Sequence, residues 1–198
     1  MPLFGKSKSQ KRDEAIAGLA TAMGAFAHSV SLQIVDAEGT EDMLKKWNIH
    51  TEVLGFFCHY LSRRAFAEGG PDFRAELQDE VVPLVISSTL EVAWDSRQSN
   101  VENQDSREAG FKEELQRNIN AIEAELSECQ TLGMSESEMK AFSFTNPTTM
   151  IGALAARIDE IVGNETPVST RMNVAFATTT GLALSKMSPS IKAIWSNH

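Results

Sequence analysis

The segment AIAGLATAMGAFAHSVSLQIV, Ala15 to Val35, contains no Asp, Glu, Lys or Arg, and the fold turns on how it is read. Basic residues precede it, and Ala25-Phe26-Ala27 mimics a signal-peptidase site, so a targeting segment has to be weighed. Against that, Asp13 and Glu14 adjoin the stretch, most of it is Ala, Gly and Ser, and His28 and Gln33 interrupt it. Alanine adds little to the free energy of membrane insertion, which also counts against a spanning helix. The periodicity points to a buried amphipathic helix over about Ser9 to Ala37. Ile16, Leu19, Met23, Ala27, Val30 and Ile34 recur at three- and four-residue steps and draw one apolar stripe. Ala15, Gly18, Ala22, Ala25 and Ser29 form a second stripe of small residues that lets another helix approach closely. Two such stripes place this helix centrally in its domain.

The rest of the chain reads the same way. Gly39 ends the first helix and Thr40 caps the next, with Glu41 and Asp42 at the positive end of its dipole. The second helix runs to about Glu68, with a break expected near Asn48, on a stripe of Met43, Trp47, His50, Leu54, Phe57, Leu61 and Ala65. Ile49, Val53, Phe56 and Tyr60 widen that stripe until only Glu52, His59, Ser62 and Arg63 remain as a polar strip, the pattern of a core helix. Gly69-Gly70-Pro71 is a stop and restart. A third helix, Asp72 to Arg97, carries Pro83, which should kink it, while the run Val81 to Ile86 leaves a strand as the minority reading. Gln98 to Ser106 is polar and reads as a loop.

A fourth helix over Arg107 to Leu132 is narrowly amphipathic and belongs on the outside. Ser135 with Glu138 opens a short helix through a capping box, and Asn146-Pro147 opens another that stops at Gly163. Thr166-Pro167 starts a weaker one through about Met187. Thr178-Thr179-Thr180-Gly181 is poor helix material, so residues 173–184 are left between helix and hairpin. Ser188-Pro189 punctuates before a short tail. The expectation is an all-α, single-domain bundle of six or seven helices over residues 13–198, preceded by a flexible basic tail, residues 1–12.

Charge bounds the partners. The net charge is −9, and the tail holds Lys6, Lys8, Lys11 and Arg12 without an acid, so the body is more acidic than the whole. Such a body repels nucleic acid. Met1-Pro2-Leu3-Phe4-Gly5 followed by Lys6 and Lys8 has the format of a weak peripheral membrane contact, one signal where stable anchoring takes two. Cys58 and Cys129 are the only cysteines, too few for a disulfide framework, so a reducing, cytoplasmic setting is expected.

Catalytic signatures are missing from the sequence. It has no helical Glu-x-x-His pair, no His-Glu-x-x-His, no phosphate-binding Gly loop, no nucleophile elbow and no paired-Cys motif. Cys58 and His59 are neighbours about 100° apart around a helix and cannot share one task. His59 is read as meeting solvent or pairing with Glu52. His50, at a core position beside Trp47, needs a hydrogen-bond partner and should have a lowered pKa. With Trp47 and Tyr60 it is the candidate ligand-binding set, set against a purely structural use; no metal ligands or cofactors are assigned. Arg63, Arg64 and Arg74 around the glycine turn are the candidate anion-binding set, set against simple compensation of a helix dipole. The expectation is a non-catalytic helical interaction or scaffold protein that partners another protein or itself as a homo-oligomer. The alternative is a ligand-binding or sensory bundle holding a small apolar molecule, haem or metal near His50, Tyr60 and Pro83.

Overall fold

A computed structural model describes residues 6–95, 104–129, 149–163 and 170–198. The all-α expectation holds: these residues form five helices and no strand. They are α1 (Lys8–Glu38), α2 (Met43–Asp95), α3 (Gln104–Leu126), α4 (Met150–Val162) and α5 (Thr170–Ser196). The short helix expected after Ser135 lies outside the described residues, as does most of the loop expected at residues 98–106; α3 begins earlier than that loop was expected to end.

Capping chemistry sets the ends of α1. The Ser7 hydroxyl accepts from the Gln10 amide while the Gln10 side chain accepts from the Ser7 amide, and Gly39 closes the helix at φ 61°. Helix α1 thus begins inside the basic segment, and Lys8, Lys11 and Arg12 are helical residues. Two residues after the expected cap, Asp42 caps α2 by accepting from the Leu44 amide at 2.8 Å.

Helix α2 runs unbroken past Asn48 and is kinked at Gly70, whose φ of 78° and ψ of −166° only glycine adopts without strain. Pro71 then opens the second limb at the position where a missing N–H costs least. The backbone stays helical through Pro83, so the strand reading of residues 81–86 fails: the ring faces solvent. Helix α5 is continuous through residues 173–184 and on past Pro189, which corrects both the hairpin alternative and the expected stop at Ser188-Pro189. Burial of Ala183, Leu184, Met187, Ile191 and Ile194 outweighs the weak helix propensity of its threonines.

The central element is α2. All four other helices pack on it, while α1 touches α2 and α5. Its first limb is sealed from Thr51 to His59. Helix α3 approaches α2 closely at Gly55, where an added Cβ would lie 2.7 Å from Ile122 Cδ1 and 3.0 Å from its Cβ. A Gly55→Ala substitution is expected to push α3 outward and cost about 2 kcal/mol in denaturant titration. An unchanged midpoint would show that the α2–α3 contact yields freely.

Candidate functional site

The stripe of small residues on α1 faces outward. Gly18, Ala25 and Ser29 are exposed and Ala15 and Ala22 only half-buried, and a Cβ added at Gly18 would meet nothing within 4 Å. The central placement expected for α1 is therefore wrong: its large apolar stripe is covered by α2 and α5 and its small one is not. Gly18, Thr21, Ala25, His28 and Leu32, all exposed, follow one another at steps of three, four, three and four, the spacing of a helix-pairing seam. Exposed Leu32 (47%), Met43 (59%) and Leu44 (67%) add apolar surface around the α1–α2 turn. By length and composition α1 is the one described helix that qualifies to cross a membrane, with 39% of its apolar window buried.

Among the described residues, two of the four tail cations form ion pairs, one local and one onto the body. Lys6 pairs with Glu14 at 2.6 Å, and Arg12 reaches Glu76 at 2.5 Å and Glu80 at 2.8 Å on α2. Lys8 takes its place in the first turn of α1.

The expected ligand set is split. Trp47 and His50 stack with centroids 6.1 Å apart, but Tyr60 lies ten residues further along α2, about 15 Å away along the axis. His50 is half-buried rather than a core residue, and burial together with nearby His28 lowers its pKa to about 4. His28, on the exposed face of α1, stands edge-on to it at 6.2 Å. His50 Nδ1 lies 3.3 Å from Ser31 Oγ. Among the described residues, no group of three or more His, Cys, Asp or Glu is placed to hold a metal ion.

The arginine set is split as well. Arg64 pairs with Glu68 one turn along its own helix. Arg63 donates to the Cys129 carbonyl at 3.0 Å, and Arg74 approaches Glu123 at 3.6 Å, so both are turned toward α3. Beside them Glu52, His59 and Ser62 of the polar strip of α2 are buried, where His59 was expected to meet solvent or pair with Glu52. His59 is 3% exposed and Ser62 1% exposed, and among the described residues neither His59 ring nitrogen nor the Ser62 hydroxyl has a partner. Burial and the charges of Arg63 and Arg74 lower the His59 pKa to about 4. These atoms are out of reach of water, so no ligand enters without side chains moving. Cys58 is fully buried, and burial pushes its thiol up to about 12, which makes it an inert core residue.

Sequence reasoning missed a third polar centre. Glu52, 9% exposed, receives Arg157 of α4 through both carboxylate oxygens, at 2.5 and 2.7 Å, and Arg157 also pairs with Glu125 of α3. The two ends of the Glu52 pair are 105 residues apart, and no local pattern announces it. Comparison of the chain with protein-family models, with curated proteins and with solved structures returns no match.

Proposed function

We propose that the protein is a non-catalytic helical interaction protein that self-associates through the outward face of α1. The observation that supports this is the exposed, uncharged stripe Gly18, Thr21, Ala25, His28 and Leu32. The chain carries a net charge of −9, so copies repel one another over most of their surface, and this face is where no ionised side chain from Ala15 to Val35 opposes contact. Small residues allow close backbone approach, which favours another helix over a bulky ligand. From Gly18 to Leu32 the stripe is about 21 Å long. That length suits an interface at the low end of the size range, below about 1,200 Å² in total, and therefore a weak dimer. The two free, buried thiols are in keeping with a reducing, cytoplasmic setting.

Ala25→Glu tests the reading. The position is exposed, so the helical circular dichroism and the unfolding midpoint are expected to stay put while dimer affinity falls at least tenfold, about 1.4 kcal/mol. Sedimentation equilibrium of both proteins provides the measurement. A wild-type mass that stays that of one chain up to about 1 mM overturns the proposal. So does pelleting with anionic vesicles that Ala25→Glu abolishes, because the same face would then belong to a lipid surface.

A further inference from the structure

The contact between α1 and α2 near their shared turn brings together two histidines 22 positions apart in sequence, and their surroundings are arranged for metal chemistry. The Ser31 hydroxyl donates to the Ala27 carbonyl at 2.6 Å, which uses its only proton. In the 3.3 Å contact with His50 Nδ1, Ser31 Oγ therefore accepts, and His50 carries its proton on Nδ1. That leaves the lone pair on Nε2, which among the described residues has no hydrogen-bond partner and is not one of the buried, unpartnered polar atoms. A ring held by a second-shell acceptor at one nitrogen, with the other nitrogen free, is the usual form of a metal-ligating histidine. Trp47, stacked on the ring, limits its rotation further.

His28 provides the second imidazole. Its ring centroid lies 6.2 Å from that of His50, with the planes at 66°. Two imidazoles on one zinc ion, each bound at about 2.1 Å, hold their centroids roughly 5.3 Å apart at a tetrahedral angle. The exposed side chain of His28 can close that remaining gap by rotating about its own bonds.

We propose that His28 and His50 form a two-histidine clip for a borderline divalent transition-metal ion, zinc being the type case, which ties α1 to α2 and takes water at its remaining positions. Imidazole nitrogen selects this class over calcium or magnesium. With two protein ligands rather than four, the site binds more weakly than a closed structural zinc site and exchanges with free metal.

Isothermal titration of the full chain with Zn²⁺ and, separately, Ni²⁺ tests the clip, at a protein concentration where sedimentation shows a single chain. The inference then stands or falls independently of self-association. The expected result is one ion per chain, confirmed by native mass spectrometry, with affinity reduced at least tenfold by either His28→Ala or His50→Ala. His198→Ala should leave binding unchanged. Ser31→Ala keeps both ligands and removes only the acceptor that orients His50, so it should weaken binding about tenfold. His28→Ala is at an exposed position and folds, which keeps the test decisive even where His50→Ala does not fold. Absence of saturable binding by the wild-type chain overturns the proposal, as does binding that His28→Ala leaves intact.

Discussion

Acidification from pH 6.5 to 4 is expected to remove about 3 kcal/mol of stability through His59 alone. In the folded chain the ring stays neutral down to about pH 4, because burial and the adjacent Arg63 and Arg74 oppose its charge. The unfolded chain takes up the proton near 6.5. Between those values the unfolded state holds more protons than the folded one, so stability falls as the pH falls. Above 6.5 the contribution is constant. His50, whose folded value is also about 4, adds a parallel loss in the same window. The check is a series of urea titrations from pH 7.5 to 4 on the wild type and on His59→Leu. Leucine removes a ring whose two nitrogens lack partners among the described residues, so the variant is expected to gain about 1–3 kcal/mol at neutral pH and to show a shallower acid slope. Parallel pH profiles for the two proteins would mean that His59 finds a partner in solution.

Removal of the Arg157 guanidinium is expected to cost about 3 kcal/mol, measured as an Arg157→Met substitution. The cost comes from what stays behind: Glu52 is 9% exposed and keeps its charge without its bidentate partner. Glu125, at the surface, loses little, since exposed pairs contribute at most about 1 kcal/mol. The double variant Glu52→Leu with Arg157→Met should recover most of the loss, because a buried pair replaced by apolar side chains of similar size is close to neutral. If the two single losses simply add in the double variant, Arg157 acts through its aliphatic stem rather than through Glu52. This pair also fixes where α4 docks. The helix reaches α2 and α3 from beyond residues 130–148, and a buried charge pair tolerates few registers.

Neither prediction was accessible from sequence, although the elements that carry them were. The polar strip Glu52, His59, Ser62 and Arg63 on α2 was correctly placed on one helical face, because that placement follows from the 3.6-residue period. For His59 both readings fail, contact with solvent and a hydrogen bond to Glu52. A polar strip faces water only when no other helix covers it, and α3 and α4 do cover this one. On α1 the error ran the other way: a stripe of small residues was taken as covered and is open. The His28–His50 approach likewise depends on how α1 and α2 turn about Gly39, which neither helix encodes by itself.

What the sequence by itself determined is the set of helices and where several of them end. Periodic apolar residues and the left-handed Gly39, Gly70 and Gly163 act within a few residues of themselves, whereas the caps at Ser7 and Asp42 fall about two residues from the starts the sequence suggests. Local hydrogen bonds and backbone sterics are enough to read them. Only the tertiary structure decided which faces are buried, that α2 rather than α1 is the central helix, that the threonine-rich stretch of α5 is helical, and which charges meet. Those outcomes depend on contacts between residues tens of positions apart, where the free energy of burial outweighs local propensity and nothing in the intervening chain records the partner.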